Sequence, residues 1–273
     1  MRSVDTPHRS AATGPPARPD RRRFAGLRPG PWVSGAVLLV LLAVWQLGAW
    51  TGLIDPRLLS SPVRVVAAAW EMLGSGALLR DTVSTFATLL VAVVFAIVVG
   101  ELIGLALGRS ERLRWTFEWQ LVVLNSMPRI AFIPIVILAV GVGGVAKSVI
   151  GFLSAVVPIA LFVMTGVRQV SPTMIQVAQS LAFGRSALWT KILVPASLPH
   201  LALGLRLGFS RALLGVVVTE VFNPVAGLGR WIALGRTSID PSRLIVAALV
   251  IGAVGTVVVQ GISAAHRRLG GAS

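Results

Sequence analysis

Four charged side chains lie within or near the ends of long apolar runs of this chain: Glu101, Arg129, Arg211 and Glu220. A charge at that depth is costly, so it faces an opposite charge or water. Two chemistries follow. An acid and a base on neighbouring helices form a structural ion pair, and Glu101 with Arg211 is the candidate. Polar groups left unpaired line a route for a polar solute, and Arg129, Glu220 and Asn223 are the candidates for that role.

The other reactive side chains offer little catalysis. Asp5, Asp20, Asp55, Asp81 and Asp240 read as tail or connector residues. His8, His200 and His266 are far apart and lack metal-ligand spacing such as HExxH. There is no GxSxG elbow for a nucleophilic serine and no GxxxxGK[ST] loop to cradle nucleotide phosphates. Without cysteine, the sequence has no disulfide, thiol nucleophile or thiolate metal site. No catalytic residue and no metal ligand is assigned, and the chain is expected to be non-catalytic.

The elements that position these charges are apolar helices. Of 273 residues 55% are hydrophobic and 13% charged, against about a quarter charged in soluble domains. This predicts an all-α polytopic membrane protein with about six transmembrane helices. Residues 1–31, rich in Pro and Arg, are expected to form a disordered basic cytoplasmic tail. Residues 32–50 form the first span. A connector over about 51–80 carries a short amphipathic helix near Val63–Leu73. Further spans are expected at about Thr82–Gly108, Trp119–Val140, Val145–Val167, Leu201–Phe222 and Leu244–Ala265. Pro128 and Pro134 interrupt the third and Pro158 lies in the fourth; such breaks bend helices and occur beside transport routes as well as elsewhere. Gly100, Gly104 and Gly108, then Gly204 and Gly208, recur at a spacing that lets helices approach closely, within one chain or between subunits.

The formal charge of +15 does not indicate a nucleic-acid partner, because Lys and Arg occur as short flanks of apolar runs. They favour the side holding both termini, mostly through residues 1–31. That predicts cytoplasmic N and C termini and places Lys147, Arg230, Arg236 and Arg243 in outer loops.

Between the fourth and fifth spans lies SPTMIQVAQSLAFGRSALWTKILVPASLPH, Ser171–His200. Ser171 is a candidate N-cap, Pro172 suits a first turn, and Met174, Val177, Ala178, Leu181 and Leu188 follow helical spacing. Gly184 is expected to divide the segment into two short helices, and Pro195 and Pro199 to end it. Spacing alone leaves two uses open: an amphipathic helix lying on lipid, or one offered to a soluble partner.

The segment resembles the "EAA" loop of binding-protein-dependent ABC transporter permeases: Glu-Ala-Ala, three residues, Gly, nine residues, Ile, one residue, Leu-Pro. Gln176, Val177 and Ala178 take the first three positions, Ala182 the Gly, Ile192 the Ile, and Val194 and Pro195 the last two. The spacing is complete; Ala178, Ile192 and Pro195 match in identity. SSPVRVVAAAWEML, GLALGRSERL, NSMPRIAFIPIVILAVGVG and LPHLALGLRLGFSRALLGVVVTEVF also resemble the family, so that the likeness spans about 55–268. It is nearest the nitrate/sulfonate/taurine branch, which includes pyrimidine-precursor importers.

The resemblance implies a type I ABC importer permease-like fold over 55–268, with a cytoplasmic coupling loop at 171–199. It implies a homodimer of permeases in the bacterial plasma membrane. Two cytoplasmic ATPases would bind ATP-Mg, and an extracytoplasmic protein would deliver a small organic anion such as a sulfonate, taurine or nitrate. Gln176, Val177, Ala178, Ser180, Leu181, Ala182, Ile192 and Pro195 would seat on the ATPase. An ATP-independent carrier, or a scaffold whose loop lies on lipid, is the competing reading.

Overall fold

Without water, a backbone inside lipid must satisfy its own N–H and C=O groups, and helices do so within one segment. The computed structural model describes residues 31–55, 58–236 and 241–270, and these contain helices and no strand. They fall into two units that meet between Trp45 and Gln46. Helix α1 (Pro31–Trp50) crosses that boundary and supplies every described residue of the first unit. Apart from Pro31, the stretch read as a basic tail lies outside the described residues.

The second unit continues with α2 (Pro62–Gly74), α3 (Ala77–Arg109) and α4 (Glu111–Ser126). A 3-10 turn at Arg129–Phe132 leads into α5 (Ile133–Val140) and α6 (Gly144–Arg168). Then come α7 (Pro172–Ser180), α8 (Arg185–Leu188), a π turn at Trp189–Leu193, α9 (Val194–Phe222), α10 (Leu228–Gly235) and α11 (Ser242–Gly270). The amphipathic connector helix is α2, capped where Ser61 Oγ accepts from the Arg64 amide.

Helix α6 is the centre, packed between α3 and α9. Its side chain Ile159 is fully buried, and glycines close on it from both sides. A Cβ at Gly100 of α3 would lie 2.8 Å from Ile159 Cγ2; one at Gly208 of α9 would lie 3.1 Å from Ile159 Cγ1. Gly104 and Gly108 meet Val163 and Val167 in the same way. Both glycine series therefore serve close packing inside one chain, where dispersion replaces hydrophobic exclusion as the attraction. These contacts run α3 parallel to α6 and α9 antiparallel to both. The starts of α3 and α6 thus share one end with the finish of α9.

Among the described residues, four helical segments are long and apolar enough to cross a membrane: Ala77–Arg109, Gly144–Arg168, Ser186–Phe222 and Ser242–Ala264. The expected third span is not straight. Glu111–Ser126 and Arg129–Val140 meet at 86° and make a fifth crossing only if counted together. Met127 and Pro128 are extended at the break, as a residue before proline favours. Pro134 does not interrupt a helix; it sits in the first turn of α5, where its missing N–H is harmless. Of the expected first span, Gly35–Trp50 is a shorter apolar helix.

Two further expectations are corrected. Asp81 is in α3 and buried, not in a connector. The Ser171–His200 segment does not end at its prolines: Ser186–Phe222 is one continuous 37-residue helix through the π turn. Pro195 falls in the first turn of α9, and Pro199 leaves only the Pro195 carbonyl without its helical donor.

Candidate functional site

The charges of this chain are handled differently at the two ends of the α3–α6–α9 core. At the end where α9 finishes, Glu220 is fully buried, with 0% exposure. Lys147 of α6 meets its Oε1 at 3.1 Å and also donates to the Ala226 carbonyl at 2.5 Å. Thr85 Oγ1 of α3 lies 2.9 Å from each Glu220 carboxylate oxygen, donating to the carboxylate, and accepts from the Leu228 amide at 2.8 Å. The Gly229 amide donates to Glu220 Oε2 at 2.9 Å.

A second carboxylate completes the cluster. Asp81 Oδ1 accepts from the Gly227 amide at 3.0 Å, while Oδ2 accepts from Arg230 Nη2 and Trp231 Nε1, both at 2.7 Å. Asp81 and Glu220 balance Lys147 and Arg230. The amides of Gly227, Leu228 and Gly229 are the orphan donors at the start of α10, and side chains of α3 and α9 satisfy all three. The carboxylates also sit at the positive end of that helix. Gly227 has φ +105, and a Cβ there would collide with the Glu220 carboxylate; one on Gly229 would lie 2.6 Å from Glu220 Cβ. Only glycine fits either position. The cluster closes the Asn223–Gly227 turn onto the core.

Glu220 and Asn223 were expected to line a route. In the structure both are buried in or beside this cluster, and neither faces an open surface. Lys147, Arg230 and Arg243 were expected in outer loops. Lys147 is inside α6, Arg230 is paired with Asp81, and Arg243 Nη2 is 2.7 Å from Glu71 Oε1. Sequence reasoning missed Lys147 and Asp81 as site residues. The signal was present: three charges at matching ends of three apolar runs.

The expected Glu101–Arg211 pair does not form. Ser197 Oγ donates to Glu101 Oε1 at 3.4 Å, and Arg211 Nη1 donates to Asn125 Oδ1 at 2.5 Å. The reason is axial position. Ser197 and Arg211 lie on one helix about four turns, roughly 20 Å, apart, so Glu101 beside the first is out of reach of the second. Arg129 Nη2 donates to the Leu124 carbonyl at 2.9 Å.

At the opposite end, α7 begins as the sequence predicts. Ser171 Oγ accepts from the Met174 amide at 3.2 Å, and Pro172 opens the helix. The helix stops one turn before Gly184. Ala182 has φ +54, the one left-handed non-glycine residue among those described. The Phe183 amide bonds back to the Ala178 carbonyl at 3.0 Å, which is the Schellman closure. Ala178 is buried and anchors the segment, whereas Gln176, Val177, Ser180 and Leu181 are exposed, Leu181 at 67%. Met174, Val177 and Leu181 form an uncovered apolar ridge. Ile192 is half-buried in the π turn and Pro195 is exposed just after it.

Residues 93–269 match the family described as binding-protein-dependent transport system inner membrane component. The chain belongs to this family. It is a multi-pass membrane component of a binding-protein-dependent transport system. A putative aliphatic sulfonates transport permease protein of Bacillus subtilis (strain 168) is 27% identical over 253 residues, covering 92% of this chain and 90% of that one. The taurine transport system permease protein of Escherichia coli (strain K12) is 25% identical over 242 residues, covering 87% and 88%. A nitrate import permease protein of Synechocystis sp. is 29% identical over 227 residues, covering 80% and 82%.

The family match takes in Lys147, the Pro172–Leu193 segment and Glu220, but Asp81 and Thr85 precede it. Within this inner membrane component, Ala182 holds the position where the resemblance places glycine, and it adopts the left-handed conformation that glycine favours. The turn survives the substitution.

Proposed function

We propose that this chain is the permease subunit of an ABC importer for a small organic anion such as a sulfonate or taurine, or for nitrate. The observation that carries the reading is the Pro172–Leu193 segment. It offers an exposed apolar ridge, Met174, Val177 and Leu181, on a helix fixed at one end by Ser171 and at the other by the Ala182 turn. Gln176, Val177, Ser180, Leu181 and Ala182 form the face that seats on a cytoplasmic ATPase; the buried Ala178 anchors it, and Ile192 and Pro195 lie where the segment enters α9.

Past the Ala182 turn, the second half of the segment belongs to the continuous Ser186–Phe222 helix. If straight, 37 residues extend about 55 Å, so a push on α8 is carried to the Glu220 end by one rigid element. ATP-Mg binds the ATPase partners, whose closure draws two coupling segments together and turns the permease outward. Two copies of the chain enclose the pathway over residues 55–268. The protein resides in the bacterial plasma membrane with both termini inside, in keeping with its Lys and Arg distribution. An extracytoplasmic binding protein delivers the anion, as the names of the similar sulfonate, taurine and nitrate permeases suggest.

The test is co-purification of the chain with a Walker-motif ATPase, followed by substrate-stimulated ATP hydrolysis in the reconstituted complex. An importer needs that ATPase. Uptake by the chain alone points instead to an ATP-independent carrier, and lipid binding by the segment without uptake points to a scaffold.

A further inference from the structure

Arg129 and Arg211 both reach the last turn of α4, at the break of the bent Glu111–Val140 pair, where the turn at Arg129–Phe132 packs on α9. Their guanidinium groups are close enough to repel. Among the described residues neither belongs to an ion pair, and the carboxylates of the core are engaged elsewhere: Asp81 with Arg230, Glu118 with Arg114 and Arg168, Glu220 with Lys147, and Glu101 with Ser197. Each arginine is instead held by one acceptor on the last turn of α4, the Leu124 carbonyl for Arg129 and Asn125 Oδ1 for Arg211.

A helix C-terminus carries only about half a negative charge. It cannot balance two cations, so more than one unit of positive charge remains. Each guanidinium has five N–H donors, most of them still free. Arg211 is about 16 Å along α9 from its end at Phe222, near the middle of a hydrocarbon layer roughly 30 Å thick. Lipid head groups do not reach that depth. Non-helical backbone there, at Met127 and Pro128, must line a wet cavity or other protein.

We infer that Arg129 and Arg211 form a paired-guanidinium site, braced by Asn125, that binds the oxyanion head of the solute midway across the membrane. The inference rests on the importer reading above and gives its pathway a selectivity element for sulfonates and nitrate. It assigns Arg211 to the solute in place of Glu101. Repulsion between the two groups makes the empty site unfavourable, so an anion enters readily, and the small brace leaves their outer donors free.

Because the chain has no cysteine, single cysteines can be labelled selectively. R211C and R129C are made separately and reconstituted with the ATPase and binding protein. Uptake of taurine, ethanesulfonate and nitrate is then measured. Each variant is expected to lose roughly tenfold or more in uptake, the loss of one charged hydrogen bond. The cationic reagent 2-aminoethyl methanethiosulfonate restores part of it, and the anionic 2-sulfonatoethyl reagent does not. The transported anion slows labelling of both cysteines. Undiminished uptake by both variants, or equal rescue by the two reagents, overturns the site. R129C supplies the same reading from another element if R211C fails to assemble. A wild-type complex that takes up none of the three anions overturns the importer reading and the site with it, whereas wild-type uptake with indifferent variants overturns the site alone.

Discussion

The Glu220 end and the Ala182 end terminate the same core helices and are built on opposite plans. At the first, the buried Asp81, Lys147 and Glu220, the part-exposed Arg230 and three backbone amides at the start of α10 are matched to one another. At the second, the buried Ala178 anchors α7, while Met174, Val177 and Leu181 face outward. Buried polar groups paired with one another hold a single geometry and present little surface to a partner. An exposed apolar ridge on a short, capped helix does the reverse. The difference suits the first end to a fixed frame and the second to the docking role proposed for it, with the Ser186–Phe222 helix running between them.

The comparison breaks most visibly at Glu220. Glu220→Gln leaves Lys147 buried without its counter-charge and is expected to destabilise the protein by about 3–5 kcal/mol. Thermal unfolding in detergent measures the loss, and adding Lys147→Met recovers much of it, since the unpaired charge is then gone. Gly229→Ala drives a methyl into the Glu220 side chain and is expected to lower stability by about 1–3 kcal/mol in the same assay. Asp81→Asn weakens the acceptor of Arg230 and Trp231 and removes the charge facing Arg230. It is expected to lower stability by about 1.5–3 kcal/mol, together with faster hydrogen exchange at the Gly227 amide. Ala182→Gly acts at the other end and in the other direction. It relieves a left-handed alanine, stabilising by about 0.5–1 kcal/mol after the greater freedom of glycine in the unfolded chain is counted. Slower exchange of the Phe183 amide reports it.

Much of the docking end was legible in the sequence because its signals are local. Ser171 and Pro172 mark a helix start through bonds within four residues, and both act as read. The turn fell at Ala182 instead of Gly184 because the closing bond from Phe183 to Ala178 fixes the left-handed position, overriding glycine's greater freedom. The fixed end was largely illegible because its bonds are long-range. Lys147 looks like the flank of an apolar run, and Asp81 like the end of a connector, until the fold brings both to the finish of α9. Glu101 and Arg211 show the converse error: opposite charges on adjacent helices, placed at depths that keep them apart. The glycine spacing predicted close packing, but only the structure identifies Ile159 as the side chain that both series grip.

The smallest stability effect carries the sharpest functional one. Leu181 is exposed on the ridge, so Leu181→Glu is expected to change folding stability by no more than about 0.5 kcal/mol. The most direct measurement is substrate-stimulated ATP hydrolysis by the reconstituted complex carrying Leu181→Glu, with its melting temperature recorded beside it. The account predicts an unshifted melting temperature and lost stimulation. Full stimulation by a folded Leu181→Glu complex contradicts it.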